Sequence, residues 1–151
     1  MSENERKLVD ASNQIAGRLA SRISKLLLQG NRVDVINIEN AVLSGKPAKL
    51  AEKFQEYLEK GSLINPRYGP IHYRRPDMLF RKMVRGMLPR RKRKGMDALA
   101  RLRSYIGHPS SVKGTPMRFE DADVSRLSGD YTTLGELASR FSRWRQERVT
   151  T

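Results

Sequence analysis

Residues 7–38, KLVDASNQIAGRLASRISKLLLQGNRVDVINI, change their apolar period twice. Lys7-Leu-Val-Asp-Ala11 is a short strand candidate. Ser12 or Asn13 can then cap a helix that runs through Leu28 and ends at Gly30. Within it Ile15, Ala16, Leu19, Ile23, Leu26 and Leu27 recur at helical spacing, and Arg18, Ser21, Arg22 and Lys25 fall opposite them. Val33-Asp-Val-Ile-Asn-Ile38 follows as a second strand, rich in β-branched residues. Strand, amphipathic helix and strand in one short stretch make a βαβ unit, so the two strands should run parallel with a right-handed crossover. An α/β fold follows from this unit alone.

Downstream, Ala41-Val-Leu43 continues in extended form before Ser44-Gly45-Lys46-Pro47. Pro47 suits the first turn of a helix whose narrow stripe of Ala51, Phe54 and Leu58 leads up to Gly61. Residues 61–70 hold two glycines and two prolines and read as loop; Ile71-His-Tyr73 is a third short strand candidate. Pro76 starts another helix, with Asp77 favourable at its positive end. Leu79, Phe80, Met83, Val84, Met87 and Leu88 share one half of that helix, Arg81, Lys82 and Arg85 the other, and Pro89 stops it. Gly95 to Arg103 resumes as helix with Met96, Leu99 and Leu102 apolar, and Ser104-Tyr-Ile106 is a fourth strand candidate cut off by Gly107 and Pro109. Residues 108–130 read as irregular, with an acidic patch at Glu120, Asp121 and Asp123 that is either solvated or folded back on the basic segment. Thr133-Leu-Gly-Glu136 fits a capping box for a last helix over about 134–146, whose Leu134, Leu137, Ala138, Phe141 and Trp144 face the core. Residues 146–151 should fray. A chain of 151 residues, enough to bury roughly 70% of its unfolded surface, is expected to form one domain over 1–151.

Charge is distributed far from evenly. Residues 67–103 carry thirteen Lys or Arg against Asp77 and Asp97, a net of +11 within a chain total of +14. Arg90 to Lys94 are five consecutive cations that cannot pack inside. A field this concentrated calls for a polyanion, because close-spaced guanidinium and ammonium groups repel one another until counter-charge arrives. Arg and Lys neutralise phosphates, Arg through paired hydrogen bonds, while Tyr68, His72 and Tyr73 can stack on unpaired bases. An ordinary solvated helix face would mix signs, and these helices offer almost no carboxylates. A basic amphipathic helix can also lie on a membrane, but the Met- and Leu-rich half is explained more simply by packing on the sheet.

The remaining composition excludes several classes. With no Cys there are neither disulfides nor thiolate metal sites, which fits a cytosolic protein. No apolar run approaches the ~20 residues that span a bilayer, and the MSENERK start lacks the apolar core of a signal peptide. Asp10 and Glu39 stand at or just past the carboxyl ends of the two parallel strands, where open α/β sheets place their sites. Two carboxylates there could hold Mg²⁺ for phosphodiester cleavage, so a metal-dependent RNA-processing enzyme is the alternative reading. Equally, short Asp and Asn side chains end strands and close turns. Ser44-Gly45-Lys46 lacks the first glycine of a phosphate loop, since position 40 is Asn, and has Pro47 in place of Ser or Thr. His72 and His108, far apart and without cysteines, are poor zinc candidates, and Glu120, Asp121 and Asp123 lack the glycine and terminal Glu of a calcium loop. No metal, cofactor or small-molecule substrate is expected.

Several motifs resemble one family. Val9-Asp-Ala11 followed by Ala16-Gly-Arg-Leu-Ala-Ser21, and Ile38-Glu-Asn-Ala-Val42 before Ser44-Gly45, are similar to the opening of large-subunit ribosomal protein thirteen, a universal family. The central match is tighter: Tyr68-Gly-Pro-Ile-His-Tyr-Arg-Arg-Pro76, Val84-Arg-Gly-Met-Leu-Pro89, then Ala98-Leu-Ala-Arg-Leu-Arg103 leading to Tyr105-Ile-Gly107. Tyr131-Thr-Thr-Leu-Gly-Glu-Leu-Ala138 is similar to the archaeal branch. The resemblance covers roughly residues 7–144 and thins over 109–130.

The resemblance implies a three-layer α/β/α domain on a short, mostly parallel four-stranded sheet, carrying basic helical and loop segments. It implies a non-catalytic constituent of the large ribosomal subunit in the cytoplasm, bound to large-subunit ribosomal RNA beside neighbouring ribosomal proteins and incorporated early in assembly. Mapped onto this sequence, Arg85 and the Arg90, Arg91, Lys92, Arg93 and Lys94 run would face RNA. Gly86 would allow close backbone approach, Pro89 would turn the chain outward, and His72, Arg74 and Arg75 would lie near RNA. With the basic segment as a whole, the candidate RNA-binding set also includes Arg67, Tyr68, Tyr73, Arg81, Lys82, Arg101 and Arg103.

Overall fold

The computed structural model describes residues 5–144, and the βαβ unit lies at its centre. Strand β1, Arg6–Asp10, pairs in parallel with β2, Arg32–Ile36, and helix α1, Ala16–Leu28, crosses between them. The register sets Lys7 beside Val33 and Val9 beside Val35. Alternation along each strand therefore sends Val9, Val33 and Val35 to one face, where they join Leu19, Ile23 and Leu27 of α1 in the buried core.

Both ends of this unit depart slightly from expectation. Neither Ser12 nor Asn13 caps α1. The Ser12 N–H donates to Asp10 Oδ1 and Asn13 is left-handed (φ 56°), so these residues close the turn after β1, and Ile15 precedes the helix. Gly30 does end α1, with φ 98° and its N–H donating to Leu27 O at 3.1 Å. Strand β2 stops at Ile36, short of Ile38, because Asn37 turns left-handed (φ 54°) and donates its N–H to Gly107 O.

Strand β4, Leu102–Ser104, lies parallel on the far side of β2, giving the order β1-β2-β4. Beyond β1 there is only a one-residue parallel bridge between Val9 and Met117. The parallel sheet thus has three strands among the described residues, not four. Residues 71–73 form no strand, because His72 is drawn instead to helix α2, Pro47–Glu59, and the residue after it: its ring meets Tyr57 edge-on at 4.6 Å and its Nε2 faces Lys60 O. The last parallel strand begins at Leu102, two residues before the expected start, although Tyr105 still donates to Val35 O at 2.8 Å. The extended piece after Ala41 is strand β3, Val42–Ser44, and its antiparallel partner β5, Tyr131–Thr133, has no counterpart in the sequence reading.

Helices α3, Pro76–Met87, and α4, Arg93–Ala100, pack against α1 and each other. Phe80 and Val84 are fully buried there, each worth ~1.5–3 kcal/mol of apolar burial. Irregular residues run along the free edge of β1: Met117 N–H donates to Leu8 O, and Asp10 N–H to Met117 O. Helix α5, Leu134–Phe141, carries the expected cap, with Thr133 Oγ1 accepting from Glu136 N–H at 3.2 Å, and its Phe141 meets Phe54 of α2 at 5.1 Å between ring centroids. It ends before the expected 146; residues 145–151, including the expected frayed end, lie outside the described residues.

Candidate nucleic-acid interface

Helix α3 is built to present cations. Pro76 opens it, and Asp77 supplies a carboxylate to the first turn, where its Oδ1 accepts from Met78 N–H. Pro76, Leu79, Phe80 and Val84 anchor one face, which leaves Arg85 and Gly86 outside. Pro89 breaks the helix, and a tight bend follows in which Arg90 N–H donates to Leu88 O and Lys92 N–H to Pro89 O. Helix α4 then starts at Arg93, two residues earlier than its apolar spacing suggests. Arg93 and Lys94 consequently lie in its first turn, at the positive end of the helix dipole, which strengthens the local positive potential.

Helix α4 folds back on the bend at Gly95. A side-chain carbon there would come 2.3 Å from Pro89 O, so only glycine lets α4 fold back this closely. The buried residues of α4 are Gly95 and Ala98, not Met96. This corrects the expected orientation: small residues occupy the tight contact, Leu99 is half-buried, and Met96 is 62% exposed. Met87, expected on the core half of α3, is exposed as well.

The candidate cations divide into two groups. Arg67, Arg85, Arg90, Arg91, Lys92, Lys94 and Arg103 are exposed, and their side chains make no hydrogen bond or ion pair among the described residues. Arg75 pairs with Asp77 at 3.5 Å, and Arg93 with Asp97 at 3.7 Å; such exposed pairs yield readily to an outside anion. Arg74 donates to Phe141 O from the surface. The second group turns inward. Arg81 donates to Leu102 O at 2.7 Å and Arg101 to Leu27 O at 2.6 Å. Lys82 donates to the Tyr57 hydroxyl and lies 4.3 Å from that ring's centroid and 5.9 Å from that of Tyr73. Tyr68 is exposed, whereas His72 and Tyr73 are half-buried and engaged with α2 and Lys82. Gly86 has open space where a side chain would begin, so an outside partner can approach its backbone.

Asp10 and Glu39 are committed to loops. Asp10 Oδ1 accepts from Ser12 N–H at 3.0 Å and from Asn37 Nδ2 at 3.2 Å, and Glu39 Oε2 accepts from Gly107 N–H at 3.0 Å. Burial is the largest influence on the Asp10 carboxyl and pushes it up. The hydrogen bonds from Ser12 and Asn37, with the Arg118 charge, together outweigh burial and hold it below its ordinary value. A carboxylate stabilised in this way closes the turn after β1. The acidic patch does not fold back on the basic segment. Asp121 is bound by Arg22 of α1, which lowers its pKa, while Asp123 caps a single helical turn through Ser125 N–H and lies 3.7 Å from Arg118. Among the described residues no three His, Asp or Glu side chains gather in an arrangement that could hold a metal ion.

Residues 4–111 match the profile of the family described as Ribosomal protein L13. The chain belongs to this family. It is also similar to curated archaeal relatives named Large ribosomal subunit protein uL13. That of Methanopyrus kandleri is 44% identical over 138 residues, spanning 89% of this chain and 85% of the relative. That of Aeropyrum pernix is 46% identical over 136 residues, spanning 89% and 88%, and that of Sulfolobus acidocaldarius is 42% identical over 139 residues, spanning 91% and 93%. The part of this ribosomal-family chain that matches the profile contains α3, the bend and α4 in full.

Proposed function

We propose that the chain is a structural constituent of the large ribosomal subunit in the cytoplasm. In this role it binds large-subunit ribosomal RNA through α3, the 90–94 bend and α4, lies among other ribosomal proteins, and supports early subunit assembly. It is not an enzyme. The observation that carries the RNA contact is the bend and the helix start after it: Arg90 to Lys92 are exposed on a hydrogen-bonded turn, and Arg93 and Lys94 are exposed in the first turn of α4. The hydrogen-bonded backbone sets where these cations start from, so binding phosphates orders their side chains but does not have to order the main chain that carries them.

The contacts divide by role. Arg67, Tyr68, Arg74, Arg75, Arg85, Gly86, Arg90, Arg91, Lys92, Arg93, Lys94 and Arg103 touch RNA. Arg81, Lys82, Arg101, His72 and Tyr73 lock the elements that present them. Recognition rests on RNA shape and phosphate spacing, not on reading base edges in a helix. No helix among the described residues is long and apolar enough to cross a membrane. Filter binding of the purified chain to large-subunit RNA in Mg²⁺ tests this. Tight, salt-sensitive retention of intact RNA is expected. Cleavage that stops with a chelator and with Asp10→Asn would instead restore the enzymatic alternative.

A further inference from the structure

Between α3 and α4 lies an open groove of about 370 Å³, within the size range of small-ligand sites. We infer that this groove seats one unstacked nucleobase of ribosomal RNA, an inference that rests on the ribosomal RNA reading above. Its floor is apolar, formed by Leu88, Met96 and Leu99, and its rim carries Arg81, Arg85 and Arg90. No carboxylate lines it. A smaller cavity of about 140 Å³ adjoins it, shares Arg81, Arg85 and Leu99, and brings in Tyr73.

Each half of this lining asks for something different. Arg85 and Arg90 are exposed and make no ion pair among the described residues, so they need an anion. Met96, 62% exposed on a helix whose core contact is made by Gly95 and Ala98, offers an apolar surface beside Leu99. A bare phosphate would satisfy the arginines and leave the floor in water. An apolar protein side chain would cover the floor and leave the guanidiniums unmatched in a segment of net +11. A nucleotide supplies both, with the base face against the polarisable Met96 sulfur and Leu99, and the phosphate at the rim. Arg81, held by Leu102 O at 2.7 Å, fixes the inner edge of the groove, and Arg85 and Arg90 are left to meet the phosphate.

The test uses two substitutions that leave every cation in place. Met96→Ser strips the floor at an exposed position, and Ala100→Leu narrows the groove from its exposed edge. Binding to large-subunit RNA at fixed salt should weaken about tenfold for each, with the slope of log affinity against log salt unchanged. Thermal unfolding of both variants checks that the fold is intact. A benzophenone photo-crosslinker introduced at position 96, which bonds by taking up an aliphatic C–H, should join the ribose of one nucleotide. Wild-type affinity in Met96→Ser, or crosslinks scattered over many nucleotides, would overturn the base seat and leave the phosphate contacts standing. Failure of the unsubstituted chain to bind the RNA would overturn both.

Discussion

Replacing Arg90, Arg91, Lys92, Arg93 and Lys94 together by Gln should reduce RNA affinity by an amount that depends on salt. Four of the five make no ion pair among the described residues, and Arg93 shares Asp97 at 3.7 Å in an exposed pair. Four to five phosphate contacts are therefore at stake. At ~0.7–0.9 per contact, the slope of log affinity against log salt should become shallower by about 3 to 4.5. A doubling of salt should then cost the unsubstituted chain roughly seven- to twentyfold more affinity than the variant. Fold stability should not fall. Arg93 and Lys94 occupy the first turn of α4, where positive charge opposes the helix dipole, so neutralising them should leave Tm unchanged or slightly raised. Filter binding at four salt concentrations gives the slope, and circular dichroism gives Tm. An unchanged slope would refute the assignment of the bend to phosphate contact. A large fall in Tm would refute its independence from the core.

Other substitutions separate stability from binding. Gly86→Ala lies in the exposed part of α3 with open space around it, so it should stabilise the helix by ~0.5–1 kcal/mol while weakening RNA binding. Binding unaffected by Gly86→Ala would remove the close backbone approach. Gly95→Ala should do the opposite to stability, because a carbon 2.3 Å from Pro89 O forces α4 away by more than helix propensity returns; a net loss of ~1–3 kcal/mol in denaturant unfolding is expected, with weaker RNA binding as the bend opens. Asp10 titrates below its ordinary value in the fold, so its stabilising effect is complete above the unfolded carboxylate pKa of 3.8 and is lost as pH falls through the folded value. Asp10→Asn should lower stability by about 1 kcal/mol at pH 7, roughly 2–4 °C in Tm, and should make the decline in Tm below about pH 4 less steep. The same decline in both proteins would show that Asp10 does not contribute to it.

The βαβ unit and helix α3 were legible in the sequence because each carries a long periodic signal that the core enforces. Leu19, Ile23 and Leu27 repeat at helical spacing over more than two turns, and the structure buries all three. The count of four parallel strands failed because the third candidate, residues 71–73, finds better partners in α2; the fourth was found as β4 but two residues early, since β4 and β5 are three residues each, too short for any period to show. The orientation of α4 was hidden for a different reason. Hydrophobicity favours Met96 as a core residue, but the approach to Pro89 admits only Gly95, and that steric fact comes from how the bend folds back on α4. The positions of Asp10 and Glu39 at strand ends were readable, whereas their roles depend on Asn37 and on Gly107, which lies 68 residues from Glu39. The charge of the basic segment was plain in the sequence. Which cations turn inward was not, because Arg101 is held by Leu27 O, 74 residues away. Met96 and Leu99 as a groove floor could have been suspected only from apolar residues interleaved with so many cations.

Sedimentation of cell lysate through a sucrose gradient, at moderate and then high salt, tests most directly whether the chain is a large-subunit constituent. The chain should migrate with large subunits and remain there until the subunits themselves come apart, while the Gln variant of residues 90–94 leaves at lower salt. A chain found only in the light fractions at moderate salt would contradict the account.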